Sequence, residues 1–215
     1  MDGTVSTTFG LFDQENKLEL LNLADAEVRY QRCFYDDAEA KRQFVQLQKE
    51  TPWRQDSIKV WGKEHLQPRL TAWHGDHGAG YTYSGLRMEP QPWSALLLSI
   101  KADLEVAAGT RFNSVLINLY RDERDSVGWH SDDETELGKH PVIASLSLGA
   151  TRTFKMKHKA RKQEKVLQID LTHGSLLVMS GSTQQFWMHA VDKERVPTQP
   201  RINLTFRTIY PQNQG

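Results

Sequence analysis

With a single cysteine, Cys33, among 215 residues, the chain has no intrachain disulfide and no cysteine-ligated metal cluster, which suits a reducing compartment. An excess of charge of either sign is also lacking. Lys and Arg number 27 against 27 Asp and Glu, so the overall charge indicates neither nucleic acid nor membrane, and any such surface must be local. Long apolar runs are missing: the stretches around Ala95-Leu98 and Leu176-Met179 fall far short of the roughly 20 residues that span a bilayer. The first residues, Met1-Asp2-Gly3-Thr4, lack the basic and apolar regions of a signal peptide. These absences predict a protein of the cytoplasm, or of the nucleus in a eukaryotic source, with no membrane partner. What is present is 38% hydrophobic content and six Trp, enough to build one sizeable core.

Residues 1–35 show no strong periodicity and are expected to pack on the outside of the main domain. Asp36 or Asp37 can cap a helix running to about Glu50, with Ala40, Phe44 and Leu47 on one face and Pro52 opposing its continuation. Strand-like pieces at 57–61 and 69–73 follow. Pro92 then suits the first turn of a helix in which Trp93, Leu96, Leu97, Ile100 and Leu104 recur at helical spacing. From Phe112 onward, strand-like segments alternate with turns at 113–120, 127–130, 142–148, 151–158, 165–171, 175–180, 187–190 and 201–209. Two helices followed by about eight short strands predict an α+β, mainly β fold, an antiparallel jelly roll or barrel with helices against one side.

In Gly128-Trp129-His130-Ser131-Asp132-Asp133-Glu134, an imidazole and a carboxylate stand two residues apart in a segment readable as strand running into turn. Extended residues i and i+2 point to one side, so His130 and Asp132 can grip one metal ion. His189 follows several strand-like segments that can carry it back over that pair, and it is the candidate third ligand. Two His and one carboxylate leave other positions of the ion open, the arrangement of non-haem Fe(II) oxygenases. A second His-x-Asp, His74-Gly75-Asp76, sits in a Gly-rich loop without such company.

Val115, Ile117 and Leu119 share one face of their segment while Asn118 and Tyr120 share the other. In the last strand, Ile202, Leu204 and Phe206 alternate with Arg201, Asn203, Thr205 and Arg207. A solvent-facing strand shows the same alternation. Two guanidiniums on one face, downstream of a candidate ligand, suit another use: Arg binds carboxylates through a planar two-pronged edge, so the pair can hold a dicarboxylate against the metal.

Taken together, Asn118-Leu119-Tyr120, His130-Ser131-Asp132, His189 and Arg201-Ile202-Asn203-Leu204-Thr205-Phe206-Arg207 resemble the AlkB family of Fe(II)- and 2-oxoglutarate-dependent nucleic-acid demethylases, over residues 57–210. The resemblance implies a double-stranded β-helix, with Fe(II) on His130, Asp132 and His189 as the catalytic centre and 2-oxoglutarate and O2 as co-substrates. It places Asn118, Tyr120, Arg201, Asn203, Thr205 and Arg207 around 2-oxoglutarate, with Arg207 on the distal carboxylate. Within the family, Tyr81-Thr82-Tyr83-Ser84-Gly85 and Asp132-Asp133-Glu134 look most like the branch acting on duplex DNA. That likeness implies that Tyr83 stacks on a flipped base, Glu134 meets its exocyclic amine, and Trp61 takes the place of an intercalating residue where Phe is more usual. Arg69, Tyr81 and Ser84 join them as substrate contacts. The physical need is general, because a base taken from the duplex loses stacking and pairing that its pocket and a wedge must offset.

The expected division is an extension and helix over 1–56, a nucleotide-recognition region with a support helix over 57–110 and the catalytic core over 111–215, all in one structural domain. Residues 152–165 are strongly basic, and Arg152, Lys157, Lys159 and Arg161 are expected on phosphates, although such a run also suits a solvated hairpin. The implied reaction removes methyl groups from 1-methyladenine and 3-methylcytosine, releasing formaldehyde, succinate and carbon dioxide. The substrate is methylated DNA, single- or double-stranded, with RNA as a further candidate, and the enzyme acts as a monomer. Two other readings share parts of this pattern: a 2-oxoglutarate hydroxylase of a protein or small molecule, and a non-catalytic jelly-roll binding module.

Overall fold

The computed structural model describes residues 17–60, 63–83, 86–163 and 165–210, with backbone alone at 58–60, 63, 81–83 and 86–88. The chain opens with β1 (Glu19–Leu21), β2 (Glu27–Gln31) and α1 (Asp37–Glu50), then forms β3 (Ser57–Val60), β4 (Lys63–Leu66), β5 (Leu70–Gly75), β6 (Tyr81–Tyr83) and β7 (Leu86–Met88). After α2 (Ala95–Ala108) come β8 (Ser114–Tyr120), β9 (Val127–His130), β10 (Ile143–Gly149), β11 (Arg152–His158) and β12 (Leu167–Leu171). The last elements are β13 (Ser175–Ser180), the short α3 (Thr183–Phe186), β14 (Trp187–Val191) and β15 (Arg201–Arg207). The eight strands from β8 onward match the eight strand-like segments of the sequence.

Asp36 caps α1 by accepting the Glu39 N–H at 2.8 Å, and the helix ends at Thr51, before Pro52. Ala40 and Leu47 are buried, with Phe44 packed against the same core. In α2 the cap is Ser94, which accepts the Leu97 N–H at 3.2 Å, and Gly109 closes the other end in the left-handed conformation. The helix therefore begins after Pro92 and Trp93 rather than at them. Trp93 still packs inward, its ring parallel to Phe206 at 6.1 Å.

A large antiparallel sheet runs in the order β1-β2-β13-β10-β15-β8-β5, and a smaller one in the order β12-β11-β14-β9. Every residue of β8 and β15 is buried, so their polar positions do not face solvent. Parity separates the two faces. Val115, Ile117, Ala144, Leu146, Leu204 and Phe206 lie on one face and join Leu97, Ile100 and Leu104 of α2 in one apolar cluster. Tyr120, Ile143, Leu177 and Met179 of the other face meet Phe154, Met156, Trp187 and Val191 of the small sheet in a second. Each such side chain contributes about 1.5–3 kcal/mol on burial.

Two expectations are corrected. Residues 19–31 are not an external extension: β2 pairs with β13, Val28 facing Met179, and Val28 is fully buried. Strands of three and five residues carry too little pattern to be read alone, and β2 is fixed by the edge that β13 offers it. His74 lies not in the Gly-rich loop but in β5, buried, its Nδ1 2.8 Å from the Pro92 carbonyl oxygen. The hairpins β3-β4 and β6-β7 stand apart from both sheets.

Gly174 closes the turn into β13 at a φ of 75°, and a Cβ there would lie 2.4 Å from the Tyr35 carbonyl oxygen. Its own carbonyl accepts the N–H groups of Phe34 and Tyr35, tying the start of α1 to the sheet. Gly174→Ala is expected to cost about 3 kcal/mol or more, because the left-handed penalty adds to a backbone collision, and to lower the Tm by roughly 6–12 °C. Thermal unfolding of the variant against the parent checks this, and an unchanged Tm would contradict it.

Candidate active site

The cleft lies between the two sheets and is lined by residues of the large sheet's polar face and by β9, β11 and β14 of the small one. His130 ends β9 and His189 lies on β14, and the two are direct partners across that strand pair. Their rings sit 4.2 Å apart, centroid to centroid, and Phe154 stacks on His189 from behind. Asp132 follows two residues after His130, held where its N–H donates to Gln184 Oε1 at 2.9 Å. Between them, the Ser131 hydroxyl donates to the Trp187 carbonyl at 2.8 Å, pinning the segment to the start of β14.

Ligand atoms of His130, Asp132 and His189 all lie within 4.8 Å of one another, and among the described residues this is the one such group of three. His74 and Asp76 are used otherwise: Asp76 Oδ1 accepts the Trp93 indole N–H at 2.7 Å. The site's chemistry fits a divalent metal. His130 Nδ1 is 2.8 Å from the Gly128 carbonyl oxygen, so it carries the proton and leaves the Nε2 lone pair for a ligand bond. Asp132 Oδ1 is buried without a hydrogen-bond partner among the described residues, 3.6 Å from His130 Nε2. Oδ2 of the same carboxylate accepts from Arg207 Nη2 at 2.8 Å.

Electrostatics prepare the same three groups. Burial opposes ionisation of Asp132, but the Arg207 charge and the hydrogen bond it donates favour the carboxylate and hold the carboxyl at about 2. His189 is pushed down to about 3, first by burial and then by His130, so its ring is neutral and able to bind metal. A charged carboxylate and neutral imidazoles are the forms that coordinate.

β15 lays Arg201, Asn203, Thr205 and Arg207 along the floor. Asn203 donates to Ser145 Oγ at 2.8 Å and accepts from the Thr205 hydroxyl at 3.0 Å. Arg201 lies at the end away from Asp132, donating to Ser147 Oγ at 2.9 Å, with its guanidinium carbon 5.1 Å from the Tyr120 ring centre. Burial lowers its pKa, and its Nε and Nη1 have no partner among the described residues. The resemblance put Arg207 on a distal carboxylate, but the geometry puts Arg207 beside the metal ligands and Arg201 at the far end. Asn118 stands behind the lining, where its Oδ1 accepts from Arg69 Nε at 2.8 Å, and Arg69 itself faces the cleft.

Other expected contacts fall elsewhere. Arg152 is corrected outright: it is 1% exposed and cannot reach a phosphate. It donates to the backbone carbonyls of Asp125 and Asp192 and to the Glu194 carboxylate, beside Tyr120. β11 alternates buried and half-buried, and Arg152 shares the inward parity of Phe154 and Met156. Lys157, Lys159 and Arg161 lie on the outside. Lys159 pairs with Asp133 at 3.1 Å and Arg161 with Asp25 at 2.7 Å. Glu134 stands at the N-cap position of the 3-10 turn at Thr135–Leu137, without a side-chain capping bond, and is not among the residues lining the cleft. Tyr81 and Tyr83 are known here only as backbone of β6, and Trp61 and Ser84 lie outside the described residues. The sequence reading missed Gln184, Ser131, Ser145 and Ser147. Only the two serines of β10 left a signal, in alternation with Ala144, Leu146 and Leu148.

The sequence profile of the 2OG-Fe(II) oxygenase superfamily matches residues 27–207. Human alpha-ketoglutarate-dependent dioxygenase alkB homolog 3 is 48% identical over 190 residues, 85% of this chain and 66% of that protein. DNA oxidative demethylase ALKBH2 of Mus musculus is 39% identical over 186 residues, 82% of this chain and 78% of that protein. The chain thus spans slightly less than two thirds of the alkB homolog 3 relatives. The solved structure of OsALKBH1 superposes with a TM-score of 0.61 at 17% identity, covering 84% of this chain and 97% of that one, which shows the shared fold. Profile, relatives and the geometry of three ligands above a polar floor agree: the chain belongs to the 2OG-Fe(II) oxygenase superfamily and, within it, to the AlkB family, with Fe(II), 2-oxoglutarate and O2 as its cofactor and co-substrates.

Proposed function

We propose that the chain is an oxidative demethylase of N-alkylated bases in DNA, 1-methyladenine and 3-methylcytosine first among them. The observation that carries this reading is one cleft holding His130, Asp132 and His189 at one end and the buried, under-partnered Arg201 at the other. The names of the relatives, which include a DNA oxidative demethylase, supply the substrate class. Bound iron with 2-oxoglutarate and O2 supplies the oxidation of the methyl carbon, the products being formaldehyde, succinate and carbon dioxide.

The chain's own residues position and neutralise. His130, Asp132 and His189 would hold the metal, their ligand atoms lying within 4.8 Å of one another at the cleft. Arg201, with Tyr120 and Ser147 around it, takes the distal carboxylate of 2-oxoglutarate, and Asn203 and Thr205 lie along its length. Arg207 keeps Asp132 ionised and oriented. Arg69, braced on Asn118, lines the cleft from within the region 57–110, which we assign to nucleotide recognition with Trp61, Tyr81, Tyr83 and Ser84. Lys157, Lys159 and Arg161 give that region a basic flank, where exposed ion pairs of small net value can exchange for phosphates. Monomeric action in the cytoplasm or nucleus belongs to the same proposal.

His130→Ala, Asp132→Ala and His189→Ala are each expected to abolish formaldehyde release and metal retention, while His74→Ala and Asp76→Ala retain metal even where they lower the Tm. Metal stoichiometry beside a formaldehyde assay on methylated single- and double-stranded oligonucleotides decides it. A fully active ligand variant, or metal lost from the His74 variant, would overturn the assignment. Arg201→Ala is expected to cost about 3–5 kcal/mol at the buried carboxylate, raising the apparent KM for 2-oxoglutarate on the order of 100-fold or more with metal affinity preserved. Arg207→Ala should instead weaken metal retention. If the two variants exchange these phenotypes, the distal carboxylate lies on Arg207.

A further inference from the structure

The outer face of the small sheet carries an aromatic where a solvated strand ordinarily places polar groups. Trp129 follows Gly128 on β9, one residue before the iron ligand His130, and is half-buried. It is not among the residues that line the cleft, and Lys157 of β11 holds its ammonium 4.2 Å from the centre of the indole. Among the cations at 155–161, Lys155, Lys159 and Arg161 each pair with a carboxylate, of Asp192, Asp133 and Asp25 respectively. Lys157 makes no ion pair among the described residues, and its charge is committed only to the ring. The strand between them, β14, brings Met188 into register with Lys157 and offers no carboxylate on that face.

Gly128 adds an independent observation. β9 and β14 slip out of register across it, between the Val127–Val191 and His130–His189 pairs, so Gly128 lies at a bulge, where a Cβ would meet nothing within 4 Å. It is exposed on the free edge of the small sheet. The exposed bulge without a Cβ leaves room on that edge for the backbone of a ligand.

We propose that Gly128, Trp129 and Lys157 form a docking strip for the unpaired strand next to the target nucleotide. The sugar-phosphate backbone passes over Gly128, a neighbouring base stacks on Trp129, and Lys157 moves from the ring to the phosphate. A paired base has both faces covered by its neighbours in the duplex, so the strip favours single-stranded substrate or a locally opened duplex. The inference rests on the proposed nucleic-acid substrate and names how the flanking strand is held.

The test is anisotropy of labelled, unmethylated single-stranded DNA of about 12 nucleotides, a length within the usual single-strand site range, beside a matched strand with abasic positions flanking one base. The full-length chain is used, with basal 2-oxoglutarate turnover and Tm as controls. Trp129→Ala is expected to weaken binding of the intact strand roughly tenfold, the loss of one stacked base, and to leave the abasic strand unchanged. Trp129→Phe should restore most of the difference and Trp129→Leu, which keeps apolar bulk, should not. Lys157→Gln should weaken both strands and lower the salt slope by about 0.7, one phosphate contact on a single strand. Equal loss on both strands, or rescue by Leu as good as by Phe, makes Trp129 a structural residue and overturns the strip. Wild-type protein that demethylates DNA while Trp129→Ala binds both strands normally sinks this inference alone. Failure of the wild type to bind any single strand overturns the strip, and the nucleic-acid reading falls with it only where formaldehyde release from methylated single- and double-stranded oligonucleotides is absent as well.

Discussion

The rest of the site depends on one buried ion pair, Asp132 with Arg207. Both side chains are almost wholly withdrawn from solvent, at 1% and 4% exposure, and their atoms meet at 2.8 Å. Burial alone would favour the neutral acid, which binds metal poorly, and the Arg207 charge reverses that preference. The pair also joins the two sheets, since Asp132 follows β9 of the small sheet and Arg207 ends β15 of the large one. Sheet spacing, strand register and protonation of the carboxylate are therefore one constraint. A buried ion pair of this kind contributes little net stability compared with apolar side chains of similar volume. Its presence is accounted for by what it does to Asp132, not by what it adds to folding.

From that pair the polar floor extends along one parity of three neighbouring strands. Across β15, Asn203 faces Asn118 on one side and Ser147 on the other, and Thr205 faces Leu116 and Ser145. Arg201 and Asn203 donate to serines of β10, and Thr205 donates to Asn203 along its own strand, which fixes their rotamers before any ligand arrives. The opposite parity is uniformly apolar and rests on α2. A slip of one residue would send the guanidiniums into the helix-side core and the leucines into the cleft, so the apolar packing that stabilises the fold also sets the register of the site.

That parity explains what was legible in the sequence. A period of two is a local property, so the eight strands, the inward set Asn118, Tyr120, Arg201, Asn203, Thr205 and Arg207, and the His130-x-Asp132 pair could all be read from neighbouring residues. Ordering along the cleft could not. Whether Arg201 or Arg207 lies near the metal depends on which end of β15 approaches β9, a tertiary fact that spacing does not carry. Arg152 was misread because its segment was weighed as a charge run; counted as a strand, it falls inward with Phe154 and Met156. Gln184 was missed because it sits on a four-residue helix and reaches the backbone of Asp132 across 52 residues of chain. β2 was missed because its pairing partner, β13, lies far along the sequence, and β1 because it pairs only with β2.

Two kinds of charge therefore serve the proposed reaction, and their surroundings separate their roles. Arg201 and Arg207 are enclosed, so their interactions are weakly screened and their geometry is fixed by neighbours. Lys155, Lys159 and Arg161 hold exposed or half-exposed carboxylates through pairs that salt screens and that cost little to exchange. A co-substrate bound in every turnover needs the first kind, and a polyanion that must be gripped and released along its length needs the second. Zero net charge is compatible with both: the acids that balance the basic segment are the residues its cations would leave on meeting phosphate. The apparent neutrality of the sequence is then a resting state of the surface, maintained by exchangeable ion pairs rather than by a shortage of cations.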